Sequence, residues 1–149
     1  MKEKKIALFF TILTFCIASA APAYASTAKF AYAFYGFAGE RMPNGEQGQP
    51  VKKGYPKADN EQAYYLTLNK KNGTHKNNVS ANNIFGCRMH RLDEKKTVDS
   101  YHTFTNYVQK HRIPYTAKAS KNTKMYLCCQ KDSGSKSQEM LYVSGKYTP

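Results

Sequence analysis

Acidic residues are scarce in this sequence, which has 10 Asp and Glu against 23 Lys and Arg in 149 residues. A glycoside hydrolase needs two carboxyl groups on either side of one sugar bond, but the adjacent acidic pair Asp93-Glu94 lies in a predicted turn. The chain also has no internal repeats and no low-complexity tail. A small secreted hydrolase is therefore the weakest of the functions that the sequence allows.

Cysteine is scarce too, and the four that are present form no strong catalytic or metal-binding motif. A cysteine nucleophile needs a histidine base, but nothing marks any of the four histidines, so we predict no catalytic residue and no enzyme. Cys87 and His90 form a Cys-x-x-His unit that could bind zinc together with Cys128 and Cys129. On strands, however, Cys87 and His90 point to opposite faces, as do the two later cysteines. We therefore predict neither a metal site nor a cofactor.

The longest apolar run, at 6–20, has about 15 residues, which is short for a membrane span of roughly 20. Three lysines precede this run and the small-residue site Ala23-Tyr24-Ala25 follows it, which is the order of a secretory signal peptide. We therefore predict cleavage before Ser26, a secreted or cell-surface-associated product, and no transmembrane segment after cleavage. An uncleaved anchor helix is one alternative. Lipidation at Cys16 is the other, and the bulky Phe15 disfavours it.

Residues 26–149 have the length of a single domain. The first 25 residues carry three of the 23 basic and one of the 10 acidic residues, which leaves 20 against 9, a net charge of about +11. Such a surplus predicts attraction to polyanions. Basic residues alternate with tyrosines in three clusters, a mixture that suits phosphate groups. The predicted polyanion-binding residues are Lys52, Lys53, Lys57, Lys70, Lys71, Lys76, Lys110 and Arg112.

The hydrophobic pattern of this domain is that of strands separated by polar turns. Phe30, Tyr32 and Phe34 alternate with alanines at a period of two. Further strands are predicted at 63–68, 84–92, 123–130 and 139–147. Residues 97–108 fit either a helix or a strand, and their Thr, Tyr and Val content favours a strand. We predict an all-β fold, a small antiparallel sandwich or barrel of about five to six strands, preceded by the signal-peptide helix.

Three cysteines remain after cleavage, and an exported protein can form a disulfide. Strand alternation puts Cys129 on one face with Met125 and Leu127, and Cys87 on the apolar face of the earlier strand. If both faces line the core, the two sulfurs meet there. We therefore predict a disulfide between Cys87 and Cys129, with Cys128 as an odd thiol that points outward.

The closing sequence MYLCCQ…LYVSGKYTP, after an export signal and an aromatic first strand, resembles an uncharacterised family of small secreted proteins from Gram-positive bacteria. Val143-Ser144-Gly145, Tyr147 and Pro149 match its Val-Ser-Gly-aromatic-x-Pro terminus, whereas the adjacent cysteines depart from its pattern. The family is a domain of unknown function, so the resemblance implies an all-β fold and supplies no catalytic residues.

Export makes nucleic acid an unexpected partner for the basic surface. We predict a non-enzymatic exported protein that binds an anionic envelope polymer or lipid surface, on the producing cell or on a target cell. The alternative is a secreted cationic antimicrobial or bacteriocin-like protein, which its charge would steer to anionic membranes, although the sequence has no evident amphipathic membrane helix. A positive surface that is merely solvated would produce the same composition.

Overall fold

The computed structural model describes residues 27–34, 54–70, 77–93 and 96–149. This part of the chain contains strands and no helix, so the all-β prediction is confirmed and none of its segments could cross a membrane as a helix. The strands are β1 (Ala28–Phe34), β2 (Tyr55–Pro56), β3 (Ala63–Leu68), β4 (Phe85–Arg91), β5 (His102–Phe104), β6 (His111–Pro114), β7 (Lys124–Lys131) and β8 (Leu141–Thr148).

The strands form two antiparallel sheets of four, with the orders β1-β8-β3-β6 and β2-β7-β4-β5. We call these the front sheet and the back sheet. The arrangement is two sheets and not a closed barrel. The predicted number of strands is too low because β2, β5 and β6 are only two, three and four residues long.

The ambiguous segment 97–108 contains no helix, and the strand interpretation is confirmed only for the three residues His102–Phe104. Thr97 makes an isolated bridge to His90, and β5 pairs with β4 further along. Between them the Asp99 carboxylate accepts the N–H of Met89 at 2.7 Å. The Asp99 side chain therefore accepts the Met89 N–H in place of a backbone carbonyl from a neighbouring strand.

The hydrophobic core lies between the inner faces of the two sheets. Phe30 of β1 stacks on Phe85 of β4 with ring centroids 6.1 Å apart, which joins the front sheet to the back sheet. Leu66, Met89 and Met125 are fully buried in the same hydrophobic cluster. The period-two pattern of the sequence thus identifies the inward side chains of the longer strands.

The back sheet is buried on its outer face as well. Tyr101 crosses β4 at Gly86, where an added Cβ would lie 1.7 Å from the tyrosine oxygen. This oxygen accepts a hydrogen bond from Gln130 Nε2 at 2.9 Å and donates one to Asp132 at 2.7 Å. Cys128, next to Gln130 along this face of β7, is completely buried. The prediction that Cys128 points into solvent is therefore wrong, because β7 is covered on both sides.

Candidate polyanion-binding surface

The predicted basic residues do not form one surface. Lys52, Lys53, Lys71 and Lys76 lie outside the described residues. Lys57 is buried: its Nζ lies 3.2 Å from Asp59 Oδ1 and 5.2 Å from the centre of the Tyr115 ring. The prediction that Lys57 binds a polyanion is wrong, because its charge is already used within the fold.

The other three predicted residues, Lys70, Lys110 and Arg112, are exposed. They differ in whether an acidic residue pairs with them. Arg112 donates from Nε to Glu61 Oε1 at 2.9 Å, so its charge is matched by a carboxylate. Lys70 follows β3 and Lys110 precedes β6. Among the described residues, no carboxylate forms an ion pair with either lysine. Of the predicted set, the structure therefore leaves Lys70 and Lys110 as available cations.

Two further lysines, which the sequence analysis missed, complete a cationic surface. Lys29 of β1 and Lys146 of β8 are both exposed and are direct cross-strand partners on the outer face of the front sheet. Lys146 also pairs with Thr67 of β3, whose hydroxyl oxygen accepts the N–H of Lys110 at 3.1 Å. We call Lys29, Lys146 and Lys110 the cationic row. It crosses four strands, or roughly 15 Å at about 4.8 Å per strand.

The cationic row is unfavourable for the isolated fold. Like charges placed directly opposite on neighbouring strands destabilise a sheet, and no described carboxylate pairs with Lys29 or Lys146. Lys110 has a left-handed φ of 44°, a conformation that costs a residue other than glycine of order 1 kcal/mol. Repulsion that no described carboxylate relieves is typical of a surface that binds an anion, which makes the cationic row a candidate for such binding.

A shallow depression beside the row offers hydrogen-bonding groups. It is lined by Lys29, Lys146, Ala31, Asn69 and Ser144. Asn69 Nδ2 lies 3.4 Å from Ser144 Oγ, so the amide and the hydroxyl sit together between the two lysines and the end of β3. Cations with adjacent neutral donors can hold the oxygens of a phosphate or a carboxylate.

The predicted disulfide is not formed: no disulfide joins Cys87, Cys128 or Cys129, and all three are buried. Cys87 and Cys129 are nevertheless direct partners between β4 and β7, as the alternation argument placed them. Burial raises the pKa of both thiols well above the usual value. Within the described residues, no three His, Cys, Asp or Glu side chains are arranged to hold a metal ion.

We expect none of the three thiols to react quickly with a thiol reagent in the native protein, because all three side chains are buried. After unfolding in denaturant without reductant, three thiols per chain should react. Ellman's reagent, added before and after denaturation, measures both numbers. A count of one thiol after denaturation would show that two of the three cysteines are bridged in the exported protein. Fast reaction before denaturation would contradict the burial of β7.

A cysteine, a histidine and an acid do lie near one another in the interior. Asp99 Oδ2 accepts the Tyr64 hydroxyl at 2.8 Å and lies 3.8 Å from His102 Nε2, and His102 is the cross-strand partner of Cys87. Burial raises the pKa of Asp99 to about 6 and lowers that of His102. The enclosed thiol of Cys87 is not a thiolate, so this group does not fit nucleophilic catalysis. The Tyr64–Asp99 bond instead joins the front sheet to the segment beside β4.

No family model matches the chain, and no match was found among curated proteins or solved structures. The resemblance to a secreted Gram-positive family therefore stays a prediction.

Proposed function

We propose that this is an exported, non-enzymatic protein that attaches to anionic polymers of a cell envelope through the outer face of its front sheet. The observation that carries the proposal is the cationic row, in which Lys29 and Lys146 are direct neighbours, Lys110 follows beyond Thr67, and none of the three has an acidic partner among the described residues. Export enters the proposal through the signal-peptide pattern of the first 25 residues, which lie outside the described part of the chain.

Because the cationic row consists of lysines, attachment to a polyanion depends on several weak contacts. An ammonium group is a compact, strongly hydrated charge that does not make the bidentate contacts of arginine. Each lysine near an anionic surface contributes roughly 1 kcal/mol to the free energy of binding. Attachment therefore depends on several lysines that meet a polymer with repeated charges, and it is reversible. A single small anion would be held weakly.

The protein recovered from culture medium should bind polyphosphate immobilised on beads at low salt and be released as NaCl approaches about 1 M, where charge interactions are screened beyond roughly 3 Å. Intact mass of the same material should correspond to a chain that starts at Ser26. Beads without polyphosphate are the control. Failure to bind at low salt, or binding that high salt does not release, would refute polyanion attachment. A chain that starts at Met1 would refute the predicted cleavage.

A further inference from the structure

A second depression on the outer face of the front sheet lies directly beside the cationic row. Its floor is formed by Ala63, Tyr65 and Thr67, the outward residues of β3. Its sides include Lys146 and Thr148 of β8, Lys110 just before β6, and Asp59 and Glu61 of the segment before β3. We call this depression the β3 groove. Unlike the depression beside Lys29, it is lined by a tyrosine on the outer face of the sheet, Tyr65.

The ring of Tyr65 is held in place by neighbouring side chains. Its hydroxyl donates to Glu61, with 3.0 Å and 3.2 Å to the two carboxylate oxygens. Glu61 in turn accepts from Arg112 Nε at 2.9 Å. The ring is only partly buried and lines the groove. A fixed aromatic surface loses little conformational freedom when a ligand packs against it, which is the condition for a useful binding contact.

Charge is distributed unevenly along the β3 groove. At one end Asp59 is paired with Lys57 and Glu61 with Arg112, so that the acids are matched. At the other end Lys110 and Lys146 have no such partner among the described side chains. Thr67 lies between them, and because its oxygen already accepts from the Lys110 backbone, its proton is available to a ligand. The groove therefore suits a ligand with an anionic group next to an uncharged part that can contact a ring.

We propose that the β3 groove binds one anionic sugar unit of the polymer to which the protein attaches. The carboxylate or phosphate of the sugar would lie between Lys110 and Lys146, and the C–H face of the sugar ring would pack on Tyr65. Aromatic rings carry a negative face that favours such contacts with polarised C–H groups. The hydroxyls of Thr67 and Thr148 would face hydroxyls of the sugar. This inference deepens the proposed function and depends on it, because it names the class of polymer that the cationic row would meet.

The test compares three soluble probes by calorimetry at low salt: an oligogalacturonate, a linear polyphosphate with the same number of charges, and a neutral maltooligosaccharide. We expect the oligogalacturonate to bind most tightly and the maltooligosaccharide not to bind detectably. Tyr65→Ala should weaken oligogalacturonate binding by about threefold to tenfold, the worth of one aromatic contact. The same variant should bind polyphosphate as the parent does, which also shows that it is folded. Tyr142→Ala removes a tyrosine of β8 that does not line the groove, and it should change neither affinity.

The outcomes separate this inference from the proposed function. Equal binding of oligogalacturonate and polyphosphate, both unaffected by Tyr65→Ala, would overturn the sugar site and leave polyanion attachment standing. If Tyr65→Ala and Tyr142→Ala lose equal affinity for oligogalacturonate, the sugar site is also overturned, because the loss would not be specific to the β3 groove. Absence of binding to both charged probes would overturn the proposed function together with the inference.

Discussion

Replacing Lys146 by glutamate should weaken polyanion binding by about 30-fold while leaving the protein as stable as before, or slightly more stable. Lys146 is the centre of the cationic row, between Lys29 on one side and Thr67 on the other. Removing one positive charge beside an anionic surface costs roughly 1 kcal/mol, and reversing it costs about twice that. Stability should not fall, because the variant turns a repulsive cross-strand pair into an attractive one that is worth roughly 0.2–1 kcal/mol.

The measurements are the NaCl concentration that elutes the protein from immobilised polyphosphate and the midpoint of thermal unfolding. Lys118→Glu is the matched control, since it makes the same change in net charge at an exposed position outside the row. If both variants lose affinity equally, the protein responds to total charge and the row has no special part. If Lys146→Glu melts well below the parent, the side chain supports the fold and the binding result cannot be assigned to the row.

The free energy of unfolding should fall by up to about 3 kcal/mol between pH 4 and pH 7 because of one buried carboxyl group. Burial raises the pKa of Asp99 from 3.8 to about 6. Between these two pH values the Asp99 carboxyl group keeps its proton in the folded protein, whereas in the unfolded chain it has released it. The contribution of Asp99 to stability is therefore fully present below pH 3.8 and is lost as the pH rises through about 6. Ionising the group leaves a charge in a nearly dry interior, which the bonds from Tyr64 and Met89 offset only in part.

Urea unfolding at several pH values measures this dependence, and the comparison that isolates it is parent against Asp99→Asn. The amide keeps an acceptor for the Met89 N–H and cannot ionise, so the variant should show a smaller decline from pH 4 to pH 7. Glu139→Gln removes an exposed carboxyl and should keep the decline of the parent. An Asp99→Asn protein whose stability follows the pH curve of the parent would show that Asp99 does not titrate in this range.

The longer strands could be predicted because their pattern is local. The interval 63–68 coincides with β3, and 84–92 and 123–130 overlap β4 and β7 almost completely. Alternation also placed Cys87 and Cys129 face to face before any pairing was known. The shorter strands could not be found in this way. β2 and β5 exist because β7 and β4 provide partners for them, and two or three residues carry no periodicity of their own.

The binding surface was harder to predict because it depends on pairing between distant strands. Lysines that cluster along the sequence drew attention to the loops, and Lys57 was included there although Asp59 and Tyr115 enclose it. In the sequence, Lys29 and Lys146 each stand apart from other basic residues. Only the register of β1 against β8 brings them together. Strand alternation gives the face on which a charge lies, but it does not give the neighbour across the sheet.

The position of β8 has a consequence for the order of events during biosynthesis. β8 lies between β1 and β3, and it is the last strand of the described chain to be made. Until residues 141–148 are available, β1 has no partner in the front sheet and the lysines of the row are not brought together. Contacts between such distant segments form late, because a long loop must close first. A chain still attached to the ribosome therefore carries the charge of the protein before the cationic row has formed.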